Sequence, residues 1–368
     1  MEKQKVNFIL NEDVLRTNVD NFTEIGQVYY PLKSNSNEVI IEELVKLFEG
    51  TNNGFLITHP SHFEKLISLG VTPDRIGVVN VKATNEEIEY YYNQGVRYFT
   101  FDNIDKLNCF LEYADPSDVK ISIRLNIKEP FGVTSHLGAK TDICKKMFDT
   151  LNEHGISNYG ISFYLQKELL PQPNVLNQML DYIEENFDGY KFRFINIGGA
   201  LKPHKIDKNK LDESKQKLGA DYIIVEPGRY MVGNAGYMET VIDERNDEDD
   251  IIVVKNGIYG GLLDAKLYDK TYNLVVPVEE GFVRLSKDEF DETGKKRKGF
   301  TICGASSDSG DCIGKYYIDE EYADRLVPGS KIIVLESLTY VEEFMMKLGG
   351  DFESEYHIVN CKNNTMKR

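Results

Sequence analysis

Lys33 ends a strand-like run in YYPLKSNSN, where apolar residues give way to small polar ones. A lysine amine held in place and kept from bulk water attacks carbonyl carbon, which makes it the usual covalent anchor for aldehyde cofactors. One lysine after a strand is weak support, since such a residue is more often simply solvated. Three other features stand at comparable points in the chain. Arg124 lies near the end of VKISIRLN, Gly198 and Gly199 close FRFINIGG, and Glu226, Gly228 and Arg229 lie together in DYIIVEPGR. Alone, the Gly-Gly pair reads as an ordinary tight turn. Beside an arginine its N–H groups can approach an anion closely, and the guanidinium completes the grip.

These parts match the needs of pyridoxal 5'-phosphate (PLP). Lys33 would anchor it, and Gly198, Gly199, Gly228 and Arg229 would hold its phosphate. Glu226 would keep the pyridine nitrogen protonated, so that the ring accepts electrons as a carboxyl group leaves.

The elements that must position these groups are legible as a rhythm. Apolar runs at 28–33, 54–58, 75–80, 97–102, 119–126, 159–165, 192–199 and 221–228 alternate with amphipathic stretches such as NEVIIEELVKLFEG. The spacing of Val39, Ile40, Leu44 and Leu47 predicts a helix, and Gly50, Gly70, Gly95 and Gly155 stand where helices end. About eight strand–helix units predict a (β/α)8 barrel of the TIM type, whose functional groups sit at the C-terminal ends of strands. After about residue 236 come strands without long helices, IIVVKNGIYGG, TYNLVVPV, GFTICGA and SKIIVLES. They predict an all-β domain, a sandwich or barrel. The expected division is a barrel over 27–235 and a β domain from 1–26 and 236–368. The charged runs at 244–250 and 291–298 read as solvated hairpin loops.

Composition removes other classes. A net charge of −17 repels nucleic acid and anionic membranes. No apolar run reaches membrane-spanning length, and MEKQKVNFILNED lacks a signal-peptide h-region, so a cytoplasmic protein is expected. The five cysteines, Cys109, Cys144, Cys303, Cys312 and Cys361, are scattered, which predicts reduced thiols. Neither CxxC nor HExxH spacing occurs, so no metal site is indicated.

With these motifs in hand, the chain resembles the alanine-racemase-fold PLP enzymes, and within them the ornithine, diaminopimelate and arginine decarboxylases. The resemblance covers nearly the whole chain in motif order. It rests on YYPLKSNSN, GVTPDRIGVVNVKATNEEI, SHLGA, NIGGA, VEPGRY, NGIYGG with LYD, GASSDSGD and SLTYVEEF. It implies that Lys33 holds PLP, that Arg124 lies near the phenolic oxygen, and that Gly198, Gly199 and Arg229 bind phosphate with Tyr340 closing on it. Glu226 would meet the ring nitrogen. The resemblance also implies a homodimer with shared sites, in which Asp308 reaches the distal end of the partner's amino-acid substrate.

The pattern breaks at several points. Tyr164 replaces the family's ring-stacking histidine, and Gln166 and Lys167 replace the Gly and Ser after it. Leu56 and His62 stand where the family has acids, Asn256 replaces the aspartate of D-G-V-Y-G, and Ser307 replaces the proton-donating cysteine. A serine is a far weaker acid than a thiol, so Ser307, His62 or water would return the proton. Asp308 points to a cationic distal group, while Asn256, Lys167 and His62 point to a larger, partly anionic conjugate of a diamino acid, such as the citryl-ornithine of siderophore routes. An α-decarboxylase is the leading reading. A racemase using Tyr259 or Tyr268 as second base, and a non-catalytic paralogue, are the alternatives.

Overall fold

The computed structural model describes residues 4–341, 345 and 352–360. The chain forms two compact units, one from Thr17–Lys33 and Ile41–Met231, the other from Met1–Arg16, Ser34–Ile40 and Val232–Arg368.

The chain begins with β1 (Gln4–Asn11), which belongs to the second unit. Eight parallel strands then close the first unit into a barrel: β2 (Gln27–Pro31), β3 (Gly54–Ile57), β4 (Ile76–Val78), β5 (Tyr98–Phe101), β6 (Lys120–Arg124), β7 (Tyr159–Ser162), β8 (Phe194–Asn196) and β9 (Tyr222–Val225). Closure comes from β9 pairing with β2, Gln27 opposite Ile224 and Val28 opposite Val225. These strands are short and apolar because both faces are covered. The helices between them are capped locally. Thr84 and Glu87, for example, form a reciprocal capping box ahead of the helix Asn85–Asn93.

The floor of the barrel holds an unexpected charge. Lys120, the first residue of β6, sits over the rings of Tyr98 (4.6 Å), Tyr29 (4.9 Å), Phe194 (4.9 Å) and Tyr222 (5.1 Å). Its Nζ reaches the Tyr29 hydroxyl at 3.4 Å and Gln27 Oε1 at 3.5 Å. Burial pushes its pKa down from 10.5 to about 7, while the ring faces attract the ammonium and recover part of that cost. The folded chain therefore binds this proton less tightly than the unfolded chain. Between about pH 7 and 10.5 the unfolded state carries more protons, so this group makes stability rise with pH. Lys120→Met should make the protein more stable at pH 7 and remove a slope of up to about 1.4 kcal/mol per pH unit. Urea unfolding of both proteins at pH 7 and pH 9 measures this, and equal pH slopes would refute it.

In the second unit the strands are β10 (Gly236–Asn246), β11 (Ile251–Val254), β12 (Asn273–Val278), β13 (Gly281–Leu285), β14 (Lys298–Gly304), β15 (Cys312–Ile318), β16 (Lys331–Leu335) and β17 (Phe352–Val359). With β1 they form a nine-stranded mixed sheet among the described residues, in the order β13-β12-β16-β10-β11-β14-β15. β1 adds to it antiparallel to β10 and parallel to β17. This branched, curled sheet matches the β-sandwich or barrel domain expected from the sequence. A bulge between Ile242 and Glu244 divides β10, so that its first half pairs with β16 and β1 and its second half with β11.

One expectation fails here. Cys303 and Cys312 are not free thiols but form a disulfide. They are register partners across β14 and β15, a proximity that no sequence spacing rule encodes. Cys109 and Cys144 are free, and Cys361 lies outside the described residues. Among the described residues no helix is long and apolar enough to cross a membrane.

Candidate active site

Lys33 lies in the 3-10 turn Leu32–Ser34 that follows β2. Protein atoms crowd its side chain, yet it reaches solvent. That enclosure lowers its pKa below the ordinary lysine value. Glu226 opposes the shift and Arg124 adds to it. The lysine therefore yields its neutral, nucleophilic form more readily than a surface lysine does.

Glu226 follows β9 and is held on two sides. Its Oε1 accepts a hydrogen bond from Asn196 Nδ2 at 2.6 Å, and its backbone N donates to the Gly198 carbonyl at 2.9 Å. Gly198 has a φ of +70°, the left-handed region where glycine is unstrained. A β-carbon on Gly199 would lie on the Glu226 carbonyl oxygen. The Gly-Gly turn and the acid are therefore one interlocked piece, and only glycine fits its second position.

Arg124 ends β6. Burial lowers its pKa, and the charges of Glu226, Asp102 and Tyr164 act against the shift. Asp102, after β5, accepts from the Gly138 N–H at 2.9 Å and from Lys82 Nζ at 3.3 Å. Asn126 Nδ2 donates to the carbonyls of Ser135 and Leu137 at 3.1 and 3.0 Å, so SHLGA is pinned beside Arg124. Tyr164 is 44% exposed, with its ring edge against Gly198. An aromatic ring, partly exposed, thus stands where the sequence reading puts the cofactor ring.

The structure brings Lys33, Arg124, Tyr164, Gly198 and Glu226 into one cluster, and Gly199 is fixed by the same contact with Glu226. Gly228 is buried, and its carbonyl accepts from Met231 N at 3.0 Å as Arg229 begins a helical turn. His62 is buried in the helix Pro60–Ser68 after β3, and Lys167 is exposed in the turn after β7. The barrel puts both on the rim that carries Lys33. Three residues of this site escaped the sequence reading: Asn196, Tyr98 and Asp102. Asn196 stands inside the quoted NIGGA motif, and that motif was the available signal.

The β unit carries the remaining residues. Asn256 is buried, and its Nδ2 has no hydrogen-bond partner among the described residues. Ser307 is exposed in the loop between β14 and β15. Asp308 accepts from the Tyr259 hydroxyl and from Gly310 N, the latter at 2.9 Å. Those bonds, with Lys266 nearby, hold its carboxyl below the usual range. The same bond, the largest cause, pushes the Tyr259 hydroxyl's pKa up. Asp311, also missed from sequence, ties this loop to NGIYGG through Ile258 N at 2.7 Å. Tyr340 takes a left-handed φ of +55°, and its N–H donates to the carbonyl of Ser34, the neighbour of Lys33 in the chain. The last three residues of SLTYVEEF lie outside the described residues.

The residues present fit PLP: a lysine amine that feels a fixed carboxylate, a Gly-Gly turn interlocked with that carboxylate's backbone, and a partly exposed aromatic ring beside the turn. Comparison with known proteins agrees. Residues 12–233 match the family described as pyridoxal-dependent decarboxylase, pyridoxal binding domain. The ornithine decarboxylase of Schizosaccharomyces pombe is 26% identical over 302 residues, covering 78% of this chain and 68% of that protein. The decarboxylase flvG of Aspergillus flavus is 25% identical over 311 residues, covering 78% and 70%. The arginine decarboxylase of Paramecium bursaria Chlorella virus shares the fold, with a TM-score of 0.76 at 20% identity over 98% of this chain and 97% of that one. The chain belongs to the pyridoxal-dependent decarboxylases, carboxy-lyases that work with PLP.

Proposed function

We propose that this enzyme removes the α-carboxyl group of a basic amino acid or of a conjugate of one. The carrying observation is the cluster of Lys33, Arg124 and Glu226 locked to the Gly198-Gly199 turn. Bound PLP supplies an electron sink for the pair released when carbon dioxide departs. Lys33 would anchor the cofactor through its amine. Gly198, Gly199, Gly228 and Arg229 take the phosphate, with Tyr340 adding to them. Tyr164 would offer its ring, Arg124 would act at the phenolic oxygen, and Glu226 would keep a proton on the ring nitrogen. Ser307 returns a proton to the product carbon.

Asp308, Asn256, Lys167 and His62 are proposed to read the substrate's distal end, with Asp308 acting across a homodimer. A cationic distal group, as in ornithine or lysine, suits Asp308. Yet both Asp308 oxygens are already engaged, Lys266 stands beside it, and Asn256 adds no charge. These features favour a conjugate in which the distal amine is masked by a carboxyl-bearing group, such as citryl-ornithine. Carbon dioxide release from carboxyl-labelled ornithine, lysine, arginine, diaminopimelate and citryl-ornithine tests both levels. We expect the conjugate to exceed free ornithine in kcat/KM by at least about tenfold, a difference of about 1.4 kcal/mol. Efficient turnover of free ornithine alone would sink the conjugate. Racemisation without carbon dioxide release would sink the decarboxylase reading.

A further inference from the structure

Asn196 is the last residue of β8, is 1% exposed, and spends every polar atom of its side chain. Oδ1 accepts from Gly198 N at 2.9 Å. Nδ2 donates to Glu226 Oε1 at 2.6 Å and to the Tyr98 hydroxyl at 3.0 Å. This pattern permits one amide orientation. A flipped amide would set an oxygen against the Glu226 carboxylate and N–H against N–H at Gly198. The fully buried Tyr98 stands behind it, as the first residue of β5 in the aromatic floor, 5.1 Å from the Tyr29 ring. Burial, followed by the charge of Glu226, holds its pKa well above 10, so its hydroxyl keeps its proton.

We infer that Asn196 is a positioning residue for Glu226, braced by Tyr98, and that it joins the acid and the Gly198 turn into a single preorganised unit. The inference rests on the reading of Glu226 as the group that meets the cofactor's ring nitrogen. Asn196 donates to the carboxylate without adding charge. Lys33, Arg124 and Tyr98 are among the charged and titratable groups that act with Glu226. An aspartate at 196 would set a second carboxylate in hydrogen-bond contact, and two such groups share a proton.

The test uses the cofactor-loaded enzyme with Asn196→Asp, Asn196→Ala and Glu226→Gln. Four quantities are measured: kcat, the acid limb of kcat/KM, the pH titration of the bound cofactor's visible absorbance without substrate, and the thermal midpoint. We expect Asn196→Asp to move both the acid limb and the absorbance titration upward by about one pH unit or more. Asn196→Ala should lower kcat by at least about tenfold, the usual cost of a lost hydrogen bond to a charged group. If the acid limb and the absorbance titration stay in place in both folded Asn196 variants while Glu226→Gln cripples turnover, Asn196 only fills space and the inference falls. If Glu226→Gln keeps full activity, the reading of Glu226 falls instead, whatever Asn196 does.

Discussion

Lys33→Ala is expected to lower turnover by more than about a thousandfold and to release the cofactor during gel filtration. The side chain is exposed and is not packed into the core, so its removal leaves the barrel's apolar layers intact. What is lost is chemistry. The alanine provides no amine to hold the cofactor and none to be displaced by the substrate. Lys33→Arg should fail equally, because a guanidinium stays protonated and cannot attack a carbonyl. The lowered pKa of Lys33 makes the contrast sharper, since the wild-type amine is predisposed to its neutral form. Circular dichroism shows whether the variant is folded, and carbon dioxide release shows the loss. A folded Lys33→Ala protein with wild-type turnover would remove Lys33 from the mechanism.

Glu226→Gln should lower kcat by roughly a hundredfold to a thousandfold with the cofactor still bound. The substitution keeps size and shape. Asn196 can still donate to the glutamine oxygen, and the backbone bond from residue 226 to the Gly198 carbonyl is untouched. Only the negative charge goes. If Glu226 meets the ring nitrogen of bound PLP as proposed, that nitrogen would then hold its proton less well and the ring would accept electrons poorly. The loss should therefore fall on kcat rather than on cofactor affinity. The same charge raises the pKa of Lys33, so Glu226→Gln should also move the Lys33 titration downward in the cofactor-free protein. Steady-state kinetics beside a cofactor binding isotherm separates these effects. Weak binding with normal kcat would show that Glu226 serves retention alone.

How much of this was legible in the sequence follows from how local each signal is. The barrel strands stood out because strands covered on both faces read as unbroken apolar runs. The glycines expected at helix ends, Gly50, Gly70, Gly95 and Gly155, all take positive φ, because the capping signal is carried by one residue. Lys33 and Glu226 were visible because their neighbours form recognisable motifs. The supporting contacts were not. Asn196 meets Tyr98 across 98 residues, and Asp102 meets Gly138 across 36, with nothing local to mark either pair. Lys120 looked like one strand-edge charge among many, and only barrel closure puts four rings around it. Cys303 and Cys312 needed the register of a hairpin. The parallel pairing of β1 with β17 joins the two ends of the chain, and no periodicity predicts it.

The central claim is that Lys33 is the residue that takes the cofactor. Loading the protein with PLP, fixing the cofactor with borohydride and sequencing the labelled peptide by mass spectrometry tests it most directly. A single modified lysine is expected, Lys33, in the peptide containing YYPLKSNSN. A label on another lysine, such as Lys167 or Lys202, or no label on a folded protein that still releases carbon dioxide, would contradict it.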